Sequence, residues 1–442
     1  MRDFRLILTL LFSALTLCLS GQNLINGNAK IANDSIIHYH YDTLSNDKLE
    51  ATYKLIDSLS KEEDKYLNTL NNIQNTLISG KIPVYVFNIK LNDIIDYNIG
   101  NGFMLGLGLE SSNRLSKIFS VGGFGNYWFK AKEFNYGGDL TFNLLSSKEM
   151  KVKFGTYHKF ERLGNYGFEE NENILNPANF KYFYTNATSL NNSIYIDYST
   201  YINKYLKGFI KFEVADKAYN RQQTSDNGQQ IYRLSTIDFR LRIAFGETLT
   251  QSKDGLTVEG NANPVIWISY QKNLKNILGS PYNFDKAEFL FRGKKYTQHL
   301  GETSLTAQLG YINGFVPATE LFNIYGTREN KFDIYCTESF STMRPDEFFC
   351  DKFGALYISH NFKNLLIDFK KFHPEIILIT NIAWINIIAS QHLYCESGIV
   401  IDNIIRLGIT RLGLATFYRY GSYSYDNFKE NFVFKICLGF SL

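Results

Sequence analysis

The chain has 442 residues, 16% of them aromatic with 30 Tyr and 36 Phe, only 7 Pro, and a formal net charge of +3. So mild a charge, with no Lys/Arg-rich run, argues against a nucleic-acid-binding protein. A mean hydropathy of −0.20 excludes a bundle of membrane helices, and the Tyr and Phe wealth suits strands.

MRDFR carries two arginines, LILTLLFSALTLCLS is apolar or small, and polar GQNLINGNAK comes next. A charged start, an apolar middle and a small-x-small site at Cys18-Leu19-Ser20 predict a signal peptide over residues 1–20. The apolar run is short for a membrane span, and no later stretch reaches that length. The chain is therefore expected to be exported, and a membrane form of it must be a barrel. Cys336, Cys350, Cys395 and Cys437 remain after cleavage, at spacings that match no metal pattern. Cys336 and Cys350 flank one loop, as a disulfide in an oxidising compartment or as two free thiols.

Residues 21–83 read as a periplasmic lead. His38 and His40 alternate along IIHYHY, and two histidines without further ligands make a poor metal site. Residues 47–79 read as amphipathic helix. Asp47-Lys48-Leu49-Glu50 and Ser60-Lys61-Glu62-Glu63 are capping-box-like starts. Leu49, Tyr53, Ile56, Leu67, Leu70 and Leu77 keep helical spacing, and Gly80 and Pro83 stop it. This element is a natural docking surface for a periplasmic partner, or it packs under the remainder of the chain.

From about Phe87 the period changes to two. In GFMLGLGLES, Phe103, Leu105, Leu107 and Leu109 point one way. In STIDFRLRIAFG, Ile237, Phe239, Leu241 and Ile243 oppose Asp238, Arg240 and Arg242. EFNYGGDLTFNLL and SLTAQLGY alternate likewise. A soluble sandwich buries its apolar face against a second sheet, whereas a transmembrane barrel turns it to lipid and lines its lumen with the polar face. Strands of membrane-crossing length and their number favour the barrel. Candidate strands start near residues 102, 117, 133, 150, 190, 205, 230, 264, 285, 302, 332, 350, 375, 393, 408 and 430. The expected fold is all-β: a transmembrane antiparallel β-barrel of about sixteen strands over residues 84–442, behind a short α-helical segment. Its last strand places Phe432, Phe434, Ile436, Leu438, Phe440 and Leu442 against lipid and pairs with the strand near residue 102, because an open edge in lipid leaves backbone groups unpaired.

The same parity puts Lys207, Lys211 and Glu213, and Asp238, Arg240 and Arg242, in the lumen. Rings of charge select ions, while both signs together also make a salt-bridged plug. No G-x-S-x-G, H-E-x-x-H, phosphate-cradling glycine loop or C-x-x-C occurs. The expectation is no enzyme, no catalytic residue, no metal and no cofactor.

KIPVYVFNIKLNDIIDYNIGNGFMLGLGLESS, FSVGGFGNYWFKAKEFNYGGDLTF, RPDEFFCDKFGALYISHNFKN and CESGIVIDNIIRLGITRLGLATFYRYGSY together resemble a Bacteroidota outer-membrane family of unknown function. Its members usually carry a carboxypeptidase-regulatory-like domain ahead of the barrel, and the stretch before residue 47 is too short for one. That family is similar to the superfamily of sixteen-stranded insertases and two-partner-secretion transporters, the bacterial surface antigens. The resemblance implies an outer-membrane location, contact with lipid, and a last strand recognised by assembly machinery during insertion. It also implies that the loop after the eleventh strand folds into the barrel. MRPDEFFCDKF falls there, with Arg344, Asp346, Glu347 and Phe348 as the in-folded tip and Arg240 or Arg242 as its ion-pair partners. The expected role is a scaffold, translocation or assembly barrel. The alternatives are a passive solute channel and a soluble secreted β-protein.

Overall fold

The computed structural model describes residues 76, 80–168, 177–219, 230–252, 255–259, 262–329, 333–366, 373–387, 390–407 and 410–440. The signal segment, His38 and His40, the side chain of Phe440 and all of Leu442 lie outside the described residues. Of the stretch 47–79 only Thr76 lies within them, and it is helical. Apart from Thr76, the described residues belong to one compact unit, residues 77–442.

The unit is almost all strand. It opens with β1 (Lys81–Val84), β2 (Phe87–Lys90), β3 (Ile95–Asn98), β4 (Gly102–Ser111), β5 (Phe119–Trp128), β6 (Glu133–Leu145) and β7 (Met150–Arg162). After a 3-10 segment, Pro177–Tyr184, come β8 (Thr188–Tyr201), β9 (Leu206–Tyr219), β10 (Gln230–Ala244), the small hairpin β11 (Thr248–Ser252) and β12 (Gly255–Glu259), β13 (Val265–Asn273), β14 (Asn283–Thr297) and β15 (Gly301–Phe315). Three two-residue pieces come next, β16 (Phe322–Asn323), β17 (Asp333–Ile334) and β18 (Phe349–Cys350). The chain ends in β19 (Lys352–Asn361), β20 (Glu375–Ile387), β21 (Ser390–Leu407), β22 (Thr410–Gly421) and β23 (Phe432–Phe440).

Each long strand pairs antiparallel with the next long strand in sequence. Tight turns make this possible. Between β8 and β9 the Asn203 Oδ1 accepts the backbone N–H groups of Tyr205 and Leu206 at 2.9 and 3.0 Å, an Asx turn that reverses the chain at once. At the other end, β2 and β3 pair with successive parts of β4, from Phe87↔Ser111 to Asn98↔Gly102. They are two halves of one strand interrupted by the 3-10 turn Leu91–Asp93.

The strand expected to begin near residue 332 is only β17, while β2 and β3 were missing from the expected series. Nor does β23 pair with β4. One edge of β4 is taken by β2 and β3 and the other by β5, so no edge is left for it. β23 lies between β22 and β17, the latter in parallel with Asp333↔Lys435 and Ile334↔Ile436.

The faces are inverted relative to a soluble sandwich. Leu105, Leu107 and Leu109 are 49%, 50% and 39% exposed, while Met104 and Gly108 on the opposite face are buried. On β23, Phe434 is 74% exposed and Val433, Lys435 and Cys437 are buried. Strand geometry explains the alternation, but here the apolar side is outermost. The other side is occupied in part by residues 316–329 and 333–351, which touch strands from β7 to β23. A flat sheet would separate those two strands by roughly 50 Å at about 4.8 Å per strand. The sheet therefore curls around this segment.

Candidate functional site: an in-folded segment and a polar cavity

The segment between β15 and β19 doubles back on itself. Phe340 N donates to Tyr325 O at 2.8 Å, Thr327 N to Phe340 O at 3.0 Å and Arg328 N to Met343 O at 2.7 Å. Gly326 sits at the crossing, where a Cβ would lie 2.1 Å from Arg344 O. Phe322, Ile324, Phe340 and Met343 are buried against Leu290, Phe353, Ala383, Ile385 and Tyr394 of the wall. Fully burying each such side chain stabilises by about 1.5–3 kcal/mol.

Polar clasps surround this apolar contact. The Glu396 carboxylate, fully buried on β21, accepts Ser341 N at 2.8 Å, Thr342 N at 2.7 Å, Thr342 Oγ1 at 2.6 Å and Asn381 Nδ2 at 2.8 Å. Glu338 takes a bidentate contact from Arg292 of β14, with Nη2 at 2.6 Å, and a hydrogen bond from Thr306 at 3.3 Å. Burial alone would raise the Glu338 carboxyl, but Arg292, with Lys181 and Thr306, overrides it and holds the group below its usual value. Lys217 of β9 reaches Glu320 at 2.7 Å. The Arg162 guanidinium lies 3.5 Å over the Tyr325 ring and donates to Asn323 O at 2.9 Å.

The expected tip residues lie together. Asp346 accepts Ala187 N at 2.6 Å and Asn323 Nδ2 at 2.5 Å. Glu347 pairs with Arg419 of β22 at 3.1 Å and also accepts Arg344 N at 2.8 Å. Phe348 packs edge-on against Tyr423, 4.9 Å between ring centres. Arg344 is exposed and, among the described residues, forms no ion pair. The expected partners Arg240 and Arg242 do not meet the tip. Arg240 is held by Asp238 on its own strand at 3.0 Å and by Asp197 at 3.2 Å, and Arg242 by Glu247 at 2.8 Å. These nearer carboxylates leave neither guanidinium available. The wall cation that reaches the tip is Arg419, buried and stacked between Tyr394 and Tyr425 at 4.6 and 4.7 Å.

The in-folded segment fills only part of the interior. Beside β4 to β10 a cavity of about 1220 Å3 remains, lined by both signs of charge. Of the expected interior charges, Lys211, Glu213, Asp238 and Arg240 line it. Lys211 and Glu213 pair at 2.8 Å, Lys153 and Asp139 at 3.4 Å, and Lys159 and Glu161 at 3.1 Å. Tyr157 Oη donates to Glu213 at 2.5 Å. Lys207 pairs with Glu149 at 3.0 Å, beside the turn between β6 and β7. The cavity thus presents paired charges and little net field. All four described cysteines are buried and free, and burial pushes the Cys336 thiol up to about 12.

Glu396, Glu338 and Arg419 were not anticipated. For Glu396 and Arg419 the one sequence signal was a lone charge on the polar parity of a largely apolar strand, in LYCESGIVI and LATFYRYG, and Glu338, in a turn, had no such pattern.

No protein-family model matches the chain, and no curated protein matches it. Among solved structures it is similar to BamA from Haemophilus ducreyi lacking POTRA domains 1-3, with a TM-score of 0.50 at 13% identity over 77% of this chain and 68% of that one. CdiB from Acinetobacter baumannii gives a TM-score of 0.42 at 12% identity, over 77% of this chain and 57% of that chain. The likeness to BamA is one of fold.

Proposed function

We infer that the chain is an outer-membrane β-barrel that works on polypeptides, as a translocation or assembly barrel, rather than as an open pore. The observation that carries this reading is the segment of residues 316–329 and 333–351, folded inside the sheet and clasped from β7 to β23. A passive channel gains nothing from an apolar core that blocks part of its interior and is clasped at buried carboxylates. The outward apolar face supports the membrane location, because water would leave it uncompensated while lipid matches it. With β2 and β3 counted as one broken strand, the long strands among the described residues number sixteen, and the in-folded segment falls between the eleventh and twelfth, which supports this reading. The fold shared with BamA and the family resemblance read from the sequence support the same conclusion.

The test is depletion of the protein followed by an inventory of the outer membrane. Loss of other barrels or surface proteins is expected. Selective loss of one solute's uptake, with the protein inventory unchanged, would favour the solute channel. A heat-modifiable shift on gels is the accompanying check of the barrel, and its absence would favour a soluble secreted protein.

A further inference from the structure

At the two ends of the sheet, β2 and β23 each have their outer edge covered by a segment that is not a long wall strand. β1 pairs along the outer edge of β2. β17 pairs along the outer edge of β23, extended by Tyr335 N donating to Ile436 O at 2.9 Å. The 3-10 segment and the residue after it join the two sides. Ile99 N and Gly100 N, just past β3, donate to Phe183 O and Thr185 O at 3.0 Å each. Between those two acceptors sits Tyr184, whose hydroxyl accepts Ile334 N at 2.7 Å and donates to Ile334 O at 3.3 Å. A continuous path of hydrogen bonds therefore runs from the end of β3 through Tyr184 to β17 and on to β23.

The inner face of β23 is fixed to the same segment. Lys435 is buried, donates to Thr327 O at 2.6 Å and pairs with Asp333 at 3.6 Å. Tyr335 stacks on Phe417 of β22 at 5.5 Å. The in-folded chain thus grips the closing strand by its edge and by its lysine.

We propose that Tyr184 and β17 form a latch across the seam between β3 and β23, so that the in-folded segment sets whether the seam is held or free. This rests on the barrel reading. Backbone groups bared at a seam in lipid have no water to pair with, so β17 supplies the partners that the outer edge of β23 needs, and withdrawing β17 leaves that edge unpaired and loosens the seam. Asp333 and Lys435 draw the latch into register, and the Tyr184 hydroxyl ties it to the first-strand side.

The test uses the full chain in detergent micelles. Amide hydrogen exchange is followed in β23 and, as an internal reference, in β8 to β10. In Tyr184→Phe and in the double variant Asp333→Asn with Lys435→Met, exchange in β23 is expected to rise about tenfold or more while the reference strands stay unchanged. Unchanged exchange in β23, or an equal rise in every strand, would overturn the latch. A second measurement does not depend on weakened variants. With Cys336 and Cys437 replaced by Ala, the pair Ile334→Cys and Ile436→Cys is expected to oxidise to a cross-link, and the pair Ile95→Cys and Phe434→Cys is not. The reverse result would mean that the first and last strands close on each other directly, and would overturn the proposal. Absence of a heat-modifiable band from the unaltered chain would strike at the barrel reading itself and take the latch with it.

Discussion

One oxygen of Glu396 accepts both the backbone N–H and the hydroxyl of Thr342, at 2.7 and 2.6 Å. The other oxygen accepts the neighbouring Ser341 N–H, so a single wall carboxylate satisfies consecutive backbone donors of the in-folded segment. Removing it in Glu396→Ala leaves buried donors bare, each costing about 1–3 kcal/mol. The in-folded segment should then become sensitive to limited proteolysis while the wall stays resistant. Glu396→Gln keeps acceptor capacity on one side only and should fall between the two.

Glu338 makes the clasp sensitive to acid. Its folded pKa is depressed, chiefly by Arg292 working against burial. The stability it contributes is complete above the unfolded carboxylate value, about 4.3, and is lost as pH falls through the lower folded value. Protease resistance of residues 316–348 should therefore show an acid step, and Arg292→Met should move that step to higher pH.

Gly326 tests the crossing. A methyl group there meets a backbone oxygen at 2.1 Å, which no rotamer change relieves. Gly326→Ala should detach the two arms of the segment from each other. The chain is expected to keep its heat-modifiable shift, with faster cleavage between residues 322 and 348.

The outward face tests the membrane reading. Phe434, the third residue of β23, is 74% exposed. Phe434→Arg should cost up to about 2–4 kcal/mol, the upper end applying at the bilayer midplane, and lower the inserted fraction in outer-membrane preparations. Replacement by Leu should be close to neutral.

Deletion of residues 322–348 across a short Gly-Ser bridge removes the apolar filling of the interior. In planar bilayers the unaltered protein should show little steady conductance, and the deletion variant large and stable openings. Equal conductance from both would favour the solute channel.

The range of the forces involved decides how much of this was legible in the sequence. Leu105, Leu107, Phe239 and Leu241 announce their common face because side-chain alternation is set by adjacent peptide units. The inversion of buried and exposed sides was beyond the alternation itself, which is identical in a sandwich. β2 and β3 went unseen because Leu91–Asp93 breaks their period. FDIYC mimics a strand start, yet only Asp333 and Ile334 pair. Arg240 was assigned to a distant partner although Asp238, two residues away, shares its face and takes it first. Glu396 was illegible for the opposite reason. Most of its partners are main-chain amides and a hydroxyl more than fifty residues away, and no side-chain pattern advertises them.

The buried Lys435 also constrains the order in which the molecule can be put together. The wall is built from neighbours in sequence, so its hairpins can zip one after another without the interior being filled. The final hairpin differs, because its lysine has nowhere to lodge until Thr327 and Asp333 are in position. An ammonium group left without them at that depth is costly. The last strand therefore acts as a checkpoint on everything before it: a chain whose interior is empty is penalised at the moment it tries to finish.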